Sequence, residues 1–110
     1  MSNVTDMCRM FYEAPLFNQP IGGWNVSKVT DMYGMFSSAD SFNQPIGDWD
    51  MSNVTNVSRM FHWSLRFDQD LTRWDMRSVT DTTGMFRGLR MAMQRDSKPT
   101  MVRDDLNEDL

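Results

Sequence analysis

The side chains best suited to chemistry in this chain recur at a fixed interval of 25 residues. One such column consists of Asp6, Asp31, Asn56 and Asp81. It has two interpretations. The column is a ladder of cation sites, because hard cations such as Ca²⁺ favour several oxygen ligands, or each oxygen caps the first turn of a short helix. A cap is needed at the same place in every repeat, so the column favours the cap over calcium.

A second polar column accompanies the residues predicted to form strands. Where large apolar residues alternate with small polar ones, the polar side chains point to the opposite face. The candidate binding residues on this predicted strand face are Asn25, Ser27, Asp50, Ser52, Asp75 and Arg77. Such a surface suits a basic peptide or, through its carboxylates, a cation. A solvated face without a ligand is the competing interpretation.

Amide side chains form a third set of columns. They are suited to hydrogen bonding with a sugar, but they also suit turns, where they bond the backbone of the neighbouring repeat. We favour the second interpretation. The residues are Asn18, Asn43, Asp68, Gln19, Gln44 and Gln69.

One pair of residues departs from the repeat. His62 and Trp63 stand where the preceding copy has Ser37 and Ser38. These larger side chains form a candidate local contact site, although a single exposed histidine is more often only a surface residue.

The composition argues against catalysis. The chain has one histidine, His62, and one cysteine, Cys8, and no glycine-rich phosphate loop. It therefore signals neither a nucleophile paired with a base nor a cysteine cage for a metal. We expect no enzyme, no metal and no cofactor.

The charge and hydropathy patterns bear on partners. With 11 Lys and Arg against 15 Asp and Glu, the net charge is −4, which gives no electrostatic reason to expect nucleic acid. No apolar run approaches the roughly 20 residues that a membrane-spanning helix requires. Residues 1–10 lack the basic and apolar regions of a secretion signal. We expect neither nucleic-acid binding nor membrane insertion.

Tryptophan reveals the period of the chain. Trp24, Trp49 and Trp74 are 25 residues apart, and the other apolar residues align on the same interval. A unit of this size cannot cover its apolar face alone, so copies must stack and bury columns of like residues. The clearest aligned columns are Met10, Met35, Met60, Met85; Phe11, Phe36, Phe61, Phe86; and Phe17, Phe42, Phe67.

The apolar spacing within one unit predicts its secondary structure. Trp24 and Val26 are two residues apart, as in a strand. Within residues 32–39 the spacing becomes i, i+3, i+4, i+7, which is typical of a short helix, with Thr30 or Asp31 as its N-cap. We therefore predict an α/β repeat solenoid that is leucine-rich-repeat-like, with one short parallel strand and one short helix per 25-residue repeat.

The repeat also predicts the organisation of the chain. The solenoid spans residues 1–91, and residues 92–110 form a charged C-terminal tail or cap. The first copy lacks its own Ile and Trp, so its end is uncapped. We expect either end-to-end association into a homo-oligomer or a fragment of a longer solenoid. The four copies cover about 1–23, 24–48, 49–73 and 74–91.

The amino-acid sequence of the repeat is similar to that of a known family. The sequence FNQPIGGWNVSKVTDMYGMFSSA at Phe17–Ala39 resembles a bacterial surface-protein repeat of about 25 residues, found in mycoplasma and listeria lipoproteins and related to BspA-like leucine-rich repeats. The resemblance covers residues 1–91. It implies a strand-plus-helix solenoid at the cell surface or on a secreted protein, and it brings no active site.

Taken together, the residues predict a non-catalytic repeat module that presents a surface for protein–protein interaction or self-assembly. The alternative is a solenoid that binds carbohydrate or cations along its polar columns.

Overall fold

The computed structural model describes residues 3–88 and stacks them as layers, one layer for each 25-residue repeat. We number the layers 1 (residues 3–23), 2 (24–48), 3 (49–73) and 4 (74–88). Backbone hydrogen bonds join each layer to the next in both directions: the Met7 N–H donates to the Asp31 carbonyl at 2.9 Å, and the Thr30 N–H donates to the Thr5 carbonyl at 2.8 Å. The predicted 92–110 tail and residues 89–91 of the last copy lie outside the described residues.

The predicted α/β leucine-rich-repeat-like solenoid is wrong. Residues 3–88 contain no helix, and their only β-type pairing is one isolated parallel bridge between successive layers. The bridges join Asp6 to Asp31, Asp31 to Asn56, and Asn56 to Asp81. The remainder of each described layer consists of turns and irregular extended stretches.

The predicted helix is replaced by overlapping turns. We call residues 7–14, 32–39, 57–64 and 82–88 the turn segments of layers 1 to 4. In layer 2, the N–H groups of Met35 and Ser37 each donate to the carbonyl three residues earlier in the segment. The N–H groups of Gly34 and Phe36 instead donate to carbonyls of layer 3, at 3.0 and 2.8 Å. In an α-helix every N–H would bond four residues back. Because alternate donors serve the next layer, a helix cannot form here.

The backbone angles show the same interruption. Two positions in each turn segment have left-handed φ, a conformation that a right-handed helix excludes. The first column of such residues is Arg9, Gly34, Arg59 and Gly84, with φ of 58°, 58°, 56° and 63°. The second is Glu13, Ser38, Trp63 and Gly88, with φ of 54°, 58°, 59° and 83°.

The predicted apolar stripe is nevertheless buried. Met32, Met35, Phe36 and Ala39 are all fully buried. Consecutive turns therefore direct the same residues inward that a short helix would have directed inward. The apolar spacing correctly predicted which residues are buried, but it did not predict that they lie in turns.

The predicted strand also fails to form, although its alternation holds. Trp49 and Met51 are buried and Asp50 between them is exposed. Turn hydrogen bonds lie on both sides of this stretch, from the Trp49 N–H to Ile46 at 3.2 Å and from the Val54 N–H to Met51 at 3.0 Å. These turns bend the backbone before a strand ladder can extend.

Aromatic rings hold the layers in register. Phe36 stacks on Phe11 and on Phe61 with ring centroids 5.6 Å apart in both cases, and it stacks on Phe42 of its own layer at 4.1 Å. Phe42 continues a second column, with Phe17 and Phe67 each 5.8 Å away. Burying these rings removes a large apolar area from water, and the stacked geometry adds to that stabilisation.

The tryptophans add a polar anchor between layers. The buried Trp49 indole N–H donates to the Ile21 carbonyl at 3.1 Å, and the Trp74 indole N–H donates to the Ile46 carbonyl at 2.9 Å. Each ring therefore fills the core and also gives a backbone carbonyl a second donor, since the Trp24 N–H already donates to Ile21 and the Trp49 N–H to Ile46.

We expect Trp49→Ala to unfold the chain and Asp50→Ala to leave it folded. Removing a buried Trp costs about 3–5 kcal/mol, a large share of the stability of a small domain, and here it also removes the indole hydrogen bond to the Ile21 carbonyl. Asp50 loses only exposed turn hydrogen bonds, each worth about 1 kcal/mol or less. Urea denaturation followed by circular dichroism measures both. Equal losses in the two variants would contradict the assignment of faces.

The left-handed column provides a second test. Arg59→Gly should leave the free energy of unfolding unchanged or raise it, because glycine avoids the roughly 1–2 kcal/mol cost of left-handed φ, partly offset by its more flexible unfolded state. Gly34→Ala at the matching position of layer 2 should lower it by about 1 kcal/mol. Thermal and urea denaturation would contradict this account if both changes shifted stability in the same direction.

Candidate functional site

The six candidate binding residues lie as one pair in each of layers 2, 3 and 4, and the members of each pair are joined by a hydrogen bond. Asn25 accepts the Ser27 N–H at 3.0 Å. Asp50 accepts both the N–H and the hydroxyl of Ser52, at 3.0 and 2.6 Å. The side chains therefore stabilise their own turns with the oxygens that are the candidate ligand-binding groups.

The pair in layer 4 is bound more tightly. Asp75 accepts the Arg77 N–H at 3.1 Å and two guanidinium N–H groups at 3.0 and 2.8 Å. The Arg77 hydrogen bonds lower the pKa of Asp75 to about 2. In layer 3, hydrogen bonds from the Ser52 hydroxyl and N–H lower the pKa of Asp50 in the same sense. Both carboxylates are charged at neutral pH and already have donors.

The column of Asp6, Asp31, Asn56 and Asp81 caps turns, not helices. Each side-chain oxygen accepts the N–H two residues further on, at 2.8 to 3.0 Å. The expectation that these oxygens satisfy the backbone at the start of a segment is therefore correct, while the helix that they were to cap is absent from residues 3–88.

Cys8 lies beside two members of that column. Potential ligand atoms of Asp6, Cys8 and Asp31 all lie within 4.8 Å of one another. The thiol is exposed. Desolvation, followed by the Asp31 and Asp6 carboxylates, raises its pKa. Exposed groups of this kind are common in proteins that bind no metal, and we assign no ligand to this one.

The amide columns bond the backbone between layers, as favoured from the sequence. Asn18 accepts the Asn43 N–H at 2.9 Å and the Gln44 side-chain N–H at 3.0 Å. Asn43 repeats the pattern one layer on, with the Asp68 N–H at 2.9 Å and Gln69 at 2.8 Å. These amides are part of the scaffold.

Layer 1 presents an open face on the side away from layer 2. Its apolar columns begin there, so side chains that are buried elsewhere are partly exposed: Met10 is 37% exposed, whereas Met35 and Met60 are 0% exposed. The open face consists of Val4, Met10, Phe11 and Phe17, together with Trp24, the first residue of layer 2, whose ring centroid is 5.9 Å from that of Phe11.

Backbone acceptors accompany this apolar face. The carbonyls of Asp31, Tyr33, Met35 and Ser37 each accept an N–H from layer 1. The equivalent layer 1 carbonyls accept no backbone N–H from residues 3–88. They belong to Asp6, Cys8, Met10 and Tyr12.

A cleft crosses the outward surface of the turn segments. In layer 2 this surface carries the small residues Gly34, Ser37 and Ser38, and larger side chains rise from layers 1 and 3 on either side. The cleft has a volume of about 160 Å³. We call it the Arg9–Arg59 cleft, and it is lined by Arg9, Tyr12, Tyr33, Gly34, Ser37, Ser38, Arg59 and His62.

The lining is positively charged. The Arg9 guanidinium lies over two rings, 5.8 Å from the centroid of Tyr12 and 5.3 Å from that of Tyr33. Neither Arg9 nor Arg59 forms an ion pair with any residue of the described range, where the salt bridges join Arg73 to Asp48 and Arg77 to Asp75. No Asp or Glu lines the cleft.

Sequence reasoning found only part of this cleft. His62 was noticed because it departs from the repeat, and it does line the cleft. Trp63 instead lies against layer 4, where its Cδ2 is 2.7 Å from the position that a Cβ on Gly88 would occupy. The arginines were missed, although their alternation with Gly34 and Gly84 is visible in the sequence.

A wider groove of about 520 Å³ lies among the turns near Gly22 and Gly47. Its facing charges, Asp48 and Arg73, pair with each other at 2.8 Å. On Gly47 a side chain would collide with the Asp70 carbonyl, 2.6 Å from the Cβ position, so this glycine serves close packing between layers.

Comparisons with known proteins complete the description. No helix in the described range is long and apolar enough to cross a membrane. Searches of curated proteins and of solved structures found no match. A family model described as "Mycoplasma protein of unknown function, DUF285" matches residues 1–98. This agrees with the mycoplasma part of the resemblance, while the relation to BspA-like repeats stays a prediction. The 25-residue repeat and the family match together show that the chain belongs to the DUF285 family.

Proposed function

We propose that this chain is a non-catalytic repeat module that presents surfaces for protein interaction, and that its open face accepts another layer of the same repeat. The observation that carries the proposal is the contrast between Met10 and its column. Met10 in layer 1 is 37% exposed, whereas the equivalent Met35 and Met60 in layers 2 and 3 are fully buried. The residues that stand 25 and 50 positions after each open-face residue are all buried.

The backbone specifies what the occupant must offer. The open face presents carbonyls at every second residue from Asp6 to Tyr12, so the occupant must present N–H groups with that spacing. Layer 1 meets this requirement toward layer 2, to which the Met7, Arg9 and Phe11 N–H groups donate. Another layer of the same repeat therefore fits when its donor side meets the open face.

The opposite orientation is unfavourable. Two open faces placed together would bring carbonyl rows against each other, and unpaired acceptors removed from water are costly. Stacking of copies should therefore be head to tail.

Carbohydrate or cation binding along the polar columns has less support. The amides of Asn18 and Asn43 and the carboxylates of Asp50 and Asp75 already accept N–H groups of the chain. A ligand would have to compete with these intramolecular bonds.

We expect Met10→Lys to weaken self-association at least tenfold, which corresponds to about 1.4 kcal/mol. The lysine places a charge within the open face, where stacking would remove it from water. Leu16→Lys is the matched control, because Leu16 is 88% exposed in the same layer and is not one of the open-face residues. Sedimentation velocity over a wide range of concentrations measures the association.

Two outcomes would overturn the proposal. The first is a wild-type chain that stays monomeric at millimolar concentration. The second is an equal effect of the two lysine substitutions. Far-ultraviolet circular dichroism verifies that both variants remain folded.

A further inference from the structure

The Arg9–Arg59 cleft arises from a variation between otherwise similar layers. At the first left-handed position of the turn segment, arginine alternates with glycine from layer 1 to layer 4. At this position layer 2 has no side chain, whereas layers 1 and 3 each carry an arginine. The space between the two arginines is the cleft. The Arg9 stem leans over this floor, with its Cγ 3.5 Å from where a Gly34 Cβ would lie.

The arginines occupy backbone positions better suited to glycine. Arg9 and Arg59 have φ of 58° and 56°, a region that L-residues with a side chain adopt at a cost. The fold accepts glycine at this position, since Gly34 and Gly84 share the conformation. The backbone conformation therefore does not require arginine here, and strain held in a cleft points to binding.

The chemistry of the lining selects for negative charge. A guanidinium only donates hydrogen bonds and matches a carboxylate in two-pronged fashion. The contacts with Tyr12 and Tyr33 hold the Arg9 guanidinium in place. Although the chain as a whole carries −4, the lining has two arginines and no carboxylate. The Ser37 and Ser38 side chains supply further hydrogen-bonding groups.

The surrounding surface has the composition of an interaction hot spot. Arginine, tyrosine and tryptophan are the residues that dominate binding energy in protein interfaces. Tyr12 and Trp63 are 47% and 49% exposed, on the layers that form the two sides of the cleft. At about 160 Å³ the cleft is smaller than a typical small-molecule pocket of roughly 300–1,000 Å³. Its size suits one side-chain head group, with the rest of the ligand lying outside.

From these observations we propose that the Arg9–Arg59 cleft binds a carboxylate side chain from an acidic peptide segment of a partner protein. This goes beyond stacking on the open face, because it uses the outward surface of the turn segments. Either proposal can fail without the other.

The test is fluorescence anisotropy with a fluorescein-labelled peptide of six glutamates. The wild-type chain should bind it, with an affinity that falls as salt is raised, and a peptide of six glutamines should not bind. Arg9→Gly and Arg59→Gly should each weaken binding at least tenfold. Both variants should stay folded, because glycine occupies the same position in layers 2 and 4.

Two further variants separate the cleft from general charge effects. Arg66→Ala is the matched control, because it removes an exposed positive charge that does not line the cleft; it should change affinity less than twofold. Ser37→His fills the floor with the residue that layer 3 carries at this position, and it should weaken binding while keeping both arginines.

The results that would overturn the proposal are specific. They are absence of hexaglutamate binding, equal binding of hexaglutamine, or losses in the arginine variants no larger than that of Arg66→Ala. Binding of inorganic phosphate without binding of hexaglutamate would also overturn it, since it would show a site for a small anion and not for a peptide.

Discussion

The hydrogen bonds between layers are the constraint on which the rest of the structure depends. In the turn segments of layers 1 to 3, alternate N–H groups donate to carbonyls 24 residues further along the chain, at 2.7 to 3.0 Å. The remaining N–H groups close turns within the segment. Left-handed φ at two positions per segment makes this division of donors geometrically feasible. The columns of Phe, Met and Trp follow from it, because layers bonded in this way place equivalent residues above one another.

The sequence predicted what is buried better than it predicted how the backbone runs. The 25-residue interval, the aromatic columns and the inward direction of Trp49 and Met51 could all be inferred, since they depend on which residues must avoid water. The helix and strand could not be distinguished from turns, because a series of turns places residues 32, 35, 36 and 39 on one side just as a helix does. The glycines at 34, 84 and 88 were the available signal for left-handed turns.

The candidate sites show a similar division. Asp50 and Asp75 accept N–H groups of their own turns, and this engagement depends on backbone angles that spacing does not reveal. The amide interpretation succeeded because Asn and Gln recur at the same position of successive repeats, where they bond the neighbouring layer. The Arg9–Arg59 cleft was missed because it requires comparing sizes across three layers, not finding a motif in one.

The alternation of large and small residues on the turn segments has a consequence for folding. Each layer offers its neighbours nearly the same hydrogen bonds and apolar contacts, so a chain that paired layer 1 directly with layer 3 and looped out layer 2 would retain most of its native interactions. That mispairing would bring Arg9 against Arg59 and the large side chains of both layers into one column. Like-charge repulsion and crowding would disfavour it. The arginine–glycine alternation thus distinguishes the correct order of layers from a slip by one whole repeat.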